Sequence, residues 1–304
     1  MNIALLPLLV ALAQPAGGSP PMSLLLDATQ APRHLFHSTM TIPAKPGPLT
    51  LVYPNWIPGE HAGMGPISDV AGLVISAADT PLKWRRGLMQ MHAIHCEGPS
   101  GATFVKVELD YLSPLSEGTF TDGPAGTSQL AVIDWHLFLM YPYPFDEGHP
   151  PPANYTDALS IAATIHMPDG WKGGGSLQID PRLDPAKGFM TFAPVSLTSL
   201  VDHPVIIGAH FREIDLTPDQ SPDHRLDLVA DSAADLEVSD ERIGRYTSLV
   251  AEAAALTGAR RYERYHFLVT LSDRMSHFGL EHFECSDDRA AARFLVDDDE
   301  HRSD

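Results

Sequence analysis

Residues 105–111 of the segment 104–111 alternate strictly. Val105, Val107, Leu109 and Tyr111 are apolar, and Lys106, Glu108 and Asp110 are charged. A period of two puts each set on its own face of a β-strand, so this segment predicts a strand with one dry and one wet face. Leu159, Ile161, Ala163, Ile165 and Met167 repeat the pattern against Ser160, Thr164 and His166. Residues 49–53, 205–215 and 226–230 read as further strands. Pro142, Pro144, Pro150, Pro151 and Pro152, or Gly173, Gly174 and Gly175, punctuate the stretches between them. Such residues break strands and turn the chain. Many short strands with this punctuation predict an α+β chain whose first part, residues 23–235, is an all-β sandwich-like domain.

The pattern changes near residue 239. Ser239 or Asp240 can cap a helix, and Asp240 and Glu241 suit its positive end. Ile243, Tyr246, Val250 and Ala253 follow helical spacing, and Gly258 is a suitable stop. Residues 262–271 then read as a strand apolar on both faces, central in a sheet. Beyond Gly279, Leu280, Glu281 and His282, residues 284–304 read as an acidic tail. Residues 236–304 are thus expected to belong to a second domain.

Composition narrows the partners. Lys plus Arg is 20 and Asp plus Glu is 39, for a formal charge of -19. Such a balance repels phosphate backbones, which argues against nucleic acid, and as a whole it also repels anionic lipid. The apolar run at residues 3–13 is shorter than the roughly 20 residues that a spanning helix needs. With Ala11 and Ala13 at a cleavage site it reads as a secretory signal over residues 1–14, although its first residues carry no Lys or Arg. The expected location is secreted or periplasmic, with no transmembrane segment. Cys96 and Cys285 are the two cysteines. A bridge between them needs Cα atoms within about 7 Å, which spacing alone does not provide. Two cysteines are too few for a disulfide scaffold or a cysteine-rich zinc site.

The sequence contains no His-Glu-x-x-His, no Gly-x-Ser-x-Gly, no phosphate loop and no Gly-x-Gly-x-x-Gly. Fifteen histidines invite a metal hypothesis. His92 with His95, beside Cys96, and His34 with His37 are the local candidates. Positions three apart on a strand face opposite ways, so neither pair is expected to hold a metal.

Two segments are dense in unusual residues. Tyr53-Pro54-Asn55-Trp56-Ile57-Pro58-Gly59-Glu60-His61 leads into Gly65-Pro66-Ile67-Ser68-Asp69-Val70-Ala71-Gly72-Leu73. Its prolines make it a rigid connection, expected as a structured turn packed under Trp56. The second joins Tyr265-His266-Phe267-Leu268 to Gly279-Leu280-Glu281-His282. A glycine there admits a second backbone, and a carboxylate beside it can hold a cation such as a peptide's free amine, but from the residues alone the default reading of Glu281 is a solvated side chain on a strand edge.

Together with Trp84-Arg85-Arg86 and Leu200-Val201-Asp202-His203-Pro204-Val205, these segments resemble the glycyl aminopeptidase family of zinc exopeptidases. The resemblance runs from about residue 25 to the end of the sequence. It implies a β domain followed by the beginning of a thermolysin-like catalytic domain, and an activity that releases N-terminal residues of the Gly or Ala type from peptides. It also implies that Gly279, Leu280, Glu281 and His282 form the edge strand of the substrate cleft, with Glu281 toward the α-amine of a peptide with a free N-terminus. In that family a His-Glu-x-x-His helix follows an acidic stretch like Phe294-Leu295-Val296-Asp297-Asp298, and this sequence stops there. Zinc is therefore expected in the complete family enzyme and not in this chain, which would be catalytically incomplete. The alternative is a non-catalytic β module that binds a peptide or partner.

Overall fold

The computed structural model describes residues 21–57, 62–115, 123–144, 151–180, 188–217, 222–258 and 261–297. The expected signal at 1–14, the Pro58 to His61 part of the proline-rich segment, and residues 298–304 lie outside them.

The chain opens with β1 (Met22–Asp27), β2 (Leu35–Pro43), β3 (Gly47–Val52), β4 (Val70–Ala77), β5 (Thr80–Pro81), β6 (Trp84–Arg86), β7 (Ala93–Gly98) and β8 (Phe104–Leu112). It continues with β9 (Leu130–Ile133), β10 (Tyr141–Pro142), β11 (Ser160–His166), β12 (Lys172–Gly174), β13 (Phe189–Thr191) and β14 (Val195–Ser196). The short helix α1 (Leu197–Val201) precedes β15 (Val205–Gly208), β16 (His210–Asp215) and β17 (Asp223–Ala230). Helix α2 (Asp240–Thr257) then leads to β18 (Arg264–Leu271), β19 (Phe278–Glu281) and β20 (Cys285–Ala290). The result is mostly β, in several sheets with few helices.

The largest sheet runs β13-β11-β1-β2-β8-β4-β5, and a second runs β10-β3-β7-β6. Period-two alternation decides which side chains they share. Val105, Val107, Leu109 and Tyr111 are all buried, as the spacing predicts. Across the ladder Ile42 pairs with Val105, Met40 with Val107 and Phe36 with Tyr111. Leu24 of β1, Ile161 of β11, and Leu51 and Ile94 of the second sheet lie in the same hydrophobic core. Removing this continuous apolar face from water is the main stabilising contribution of the first part of the chain.

A three-stranded sheet, β12-β15-β9, leads to a five-stranded one, β16-β17-β18-β20-β19. Residues 205–215 do not form the single strand that the sequence suggests. β15 pairs with β9 and β16 pairs with β17, so the chain changes sheets at Gly208 and Ala209. There Ala209 N–H donates to Gln129 O at 2.8 Å. β16 and β17, expected within the first β domain, share their sheet with the strands that follow α2.

Helix α2 has the expected ends. Ser239 Oγ accepts from Arg242 N, and Gly258 closes the helix at φ 64°. β18 is central, parallel to β17 on one side and β20 on the other. Val269 and Leu271 pack in a cluster with Leu228, Leu236 and Val250 of α2. Leu268 packs on the opposite side with Leu130, Val132 and Ile206. A groove of about 760 Å³ remains open beside α2, lined among others by Leu226, Leu249, Phe267 and Phe294.

Two further expectations are corrected. Residues 285–290 are a central strand, β20, rather than the start of an acidic tail. Asp287 and Arg289 satisfy one another there, which lets a charged sequence enter the interior. Trp56 does not roof its turn: it is 69% exposed. The turn is held instead by Gly65 N–H donating to Asn55 O at 3.0 Å, and a side chain at Gly65 would place its Cβ 1.9 Å from Pro54 O. Cys96 and Cys285 are both buried and both free, in different sheets.

Candidate functional site

β19 is the last strand of the five-stranded sheet, so among the described residues one side of it carries no neighbour in that sheet. Its other side runs antiparallel to β20, with Gly279 opposite Asp288, Leu280 opposite Asp287 and Glu281 opposite Ser286. Alternation along so short a strand turns Leu280 inward and leaves Gly279 and Glu281 exposed. An open strand edge presents backbone donors and acceptors to any extended chain laid beside it. Glu281 adds a solvent-facing carboxylate at the end of that edge.

The residue after β19 turns the other way. The His282 ring is buried, and its Nδ1 donates to Asp202 Oδ1 at 3.0 Å. The next amide, Phe283 N–H, donates to Asp202 Oδ2 at 3.2 Å. His203 Nε2 lies 3.5 Å from Glu284 Oε2. His203 is held in turn by Nδ1 donating to Ser199 O at 2.6 Å, and by Trp135 Nε1–H donating to its carbonyl at 2.9 Å. A His-carboxylate pair thus runs in each direction between the segment after α1 and the turn after β19. This clasp fastens the open edge to the earlier sheets.

Behind the clasp lies a charged cluster. Arg289 donates from Nη2 to Asp287 Oδ2 at 2.6 Å and to Asp134 Oδ2 at 3.0 Å, all three side chains being almost fully buried. Burial alone lowers the guanidinium pKa, but Asp287 and Asp134 outweigh it and the net shift is upward. Burial raises the Asp287 carboxyl despite Arg289. The Arg289 guanidinium also stacks 4.5 Å from the centroid of Phe278 on β19. Next to this group His136 is buried with Nε2 unpartnered among the described residues, and burial, then Arg289 and His282, push its pKa down to about 3.

The other chemistry-bearing residues are structural. Burial pushes the Cys285 thiol up to about 12, with a Ser176 hydrogen bond opposing it, so it is no nucleophile at neutral pH. His266 Nδ1 bonds Asp227 Oδ2 at 2.7 Å in the interior of the sheet. His37 pairs with Asp110 at 2.6 Å, and His34 caps a short 3-10 helix at φ 60°. His95 Nδ1 meets Thr50 Oγ1 at 2.9 Å, and His92 packs against the Tyr53 ring. Among the described residues no group of three or more His, Cys, Asp or Glu is placed to hold a metal ion. A catalytic zinc needs three such ligands, so the described residues do not fit one.

The sequence points to residues 279–282 as a unit, and the structure keeps them together while turning Leu280 and His282 inward. Sequence reasoning missed Asp134, His136, Asp287 and Arg289. Asp202 and His203 stand in a recognised motif, but only their contact with residues 282–284 reveals a task.

This architecture resembles that of the N-terminal part of aminopeptidases. Residues 23–209 match the Peptidase M61 N-terminal domain, and the chain belongs to that family. No curated protein sequence matches it. Among solved structures, an aminopeptidase N family protein from Idiomarina loihiensis is similar at TM-score 0.70 and 16% identity, over 91% of this chain and 43% of that one. The M1 zinc metallopeptidase from Deinococcus radiodurans is similar at TM-score 0.52 and 14% identity, over 91% of this chain and 60% of that one. Yeast LTA4 hydrolase in complex with bestatin is similar at TM-score 0.51 and 12% identity, over 92% and 41%. At these identities the likeness is one of fold. The chain spans less than two thirds of each of these proteins. No helix of the described residues is long and apolar enough to cross a membrane.

Proposed function

We propose that this chain is the substrate-facing N-terminal portion of a secreted or periplasmic zinc aminopeptidase, and that the edge of β19 receives the peptide. The observation that carries this reading is the exposed edge at Gly279 and Glu281, fixed from behind by Asp202 and His282. An extended peptide would pair with the free backbone of β19, and Glu281 would accept from its α-amine. Leu280 and His282 belong to the site as supports for that strand. The chain would divide near residue 209, where the family match ends and the chain changes sheets, with the later sheet beginning the catalytic domain. Hydrolysis and the zinc that activates water would belong to residues other than those described.

The test is direct binding. A short glycyl or alanyl peptide with a free amine is titrated into the isotopically labelled chain, beside its N-acetylated form. The free amine should shift amides of residues 278–282, and acetylation or Glu281→Ala should weaken binding by about 1.5–3 kcal/mol, the worth of a hydrogen bond to a charged group. Shifts confined to other sheets, or equal binding of both peptides, would remove β19 as the site.

A further inference from the structure

The hairpin of β6 and β7 is built unlike the rest of the molecule. At its tip Leu88 is 90% exposed, Met89 94% and Met91 54%, and Trp84 on the rising strand is 39% exposed. Monomeric proteins rarely leave contiguous large apolar side chains in water without a use for them. The tip is ordered by its own hydrogen bonds. Gly87 N–H donates to Ala93 O at 2.8 Å, Ala93 N–H to Gln90 O at 3.0 Å, and Arg86 Nη1 to Met91 O at 3.0 Å.

Charge sets the hairpin apart as well. In a chain of formal charge -19, residues 80–96 contain no Asp or Glu, yet they hold Lys83, Arg85 and Arg86. Lys83 and Arg85 are exposed. At about 3.3 Å per strand residue, these cations stand on the order of 10 Å behind the tip. That offset matches an apolar element sunk about 5–10 Å into a bilayer, with its cations at the level of the lipid phosphates and a tryptophan at the interface. Charges farther off than the roughly 8 Å screening length at physiological salt contribute little. Placed at the level of the lipid phosphates, the local cations can therefore outweigh there the repulsion expected from the whole chain.

We propose that the β6–β7 hairpin is a membrane-docking element that seats Leu88, Met89 and Met91 among the headgroups of a bilayer rich in anionic phospholipid. This does not rest on the peptidase reading. A second copy of the chain is another surface that could cover the tip. Two hairpins meeting symmetrically would bring their cations together, which favours the bilayer.

The experiment is sedimentation of the chain with vesicles of phosphatidylcholine, alone or mixed with phosphatidylglycerol. The chain should partition onto the mixed vesicles and only weakly onto the neutral ones. Lys83→Glu and Arg85→Glu should each weaken partitioning by at least about fivefold, the effect of about one basic residue at a charged surface. The double variant Leu88→Ser, Met89→Ser should abolish it. All of these side chains are exposed, and an unchanged thermal midpoint confirms that each variant is folded. No partitioning onto mixed vesicles overturns the proposal, as does equal partitioning by parent and tip variant. Sedimentation equilibrium without lipid tests the competing surface: a concentration-dependent dimer lost in the tip variant would assign the tip to a second copy and overturn the membrane.

Discussion

Asp202 accepts two hydrogen bonds from the turn after β19, one from the His282 ring and one from the Phe283 amide. Asp202→Ala would leave the buried ring with both nitrogens unpartnered, since His282 Nε2 already has no partner among the described residues. A cost of about 1–3 kcal/mol is expected in urea denaturation, with faster amide exchange across residues 278–284. Unchanged exchange at Phe283 would show that the turn holds without Asp202. His136 makes a prediction about pH. Its folded pKa is pushed down to about 3 from an ordinary 6.5, so between those values the unfolded chain binds a proton that the folded chain refuses. Stability from this residue is therefore complete above pH 6.5 and is lost as pH falls toward 3. His136→Leu should flatten the decline in urea midpoint between pH 6.5 and 4, and an equally steep decline would rule out His136 as its source. Cys285 acts at the other limit. Its folded pKa near 12 lies above the ordinary 9.0, so stability declines as pH rises above 9.

Elements fared unequally in the reading from sequence because their signals differ in kind. Helix α2 carries its own boundary chemistry, an N-cap serine and a left-handed glycine, and both are used. Ser239→Ala should lower stability by about 1 kcal/mol, measured by thermal or urea unfolding, and a neutral outcome would show that Asp240 takes over the cap. β8 carried an equally local signal, and its four alternating positions Val105, Val107, Leu109 and Tyr111 are buried. β20 carried the opposite signal. Asp287 and Arg289 look like solvated charges along a chain but lie against each other inside a sheet. The 205–215 run failed differently, since each half is a good strand and only the partners β9 and β17 show that they belong to different sheets.

Across the whole molecule, Arg289 ties the five-stranded sheet to Asp134, which follows β9. Arg289→Met would strand two buried carboxylates, Asp134 and Asp287, and should cost about 3–5 kcal/mol. Denaturation at neutral pH measures it, and partial recovery at low pH, where the carboxylates take protons, would mark charge rather than packing as the cause. An undiminished midpoint would mean that apolar contact alone joins the sheets. Those contacts are substantial: Leu130, Val132 and Ile206 from one side meet Val229, Leu268 and Cys285 from the other.

The amino-acid sequence by itself determined the period of each strand, the ends of α2 and the motifs that mark the family, because propensity, capping and turn chemistry act over a few residues. Residues 279–282 stood out only through the family resemblance, since a glutamate near a glycine reads locally as a solvated side chain. Tertiary structure alone decided that β16 and β17 join the later sheet, that β20 runs through its interior, and that Asp202 and His203 grip the turn after β19. Those outcomes depend on groups far apart in sequence becoming neighbours. A charge enters the interior only when a distant partner meets it there, and that meeting is a property of the folded chain.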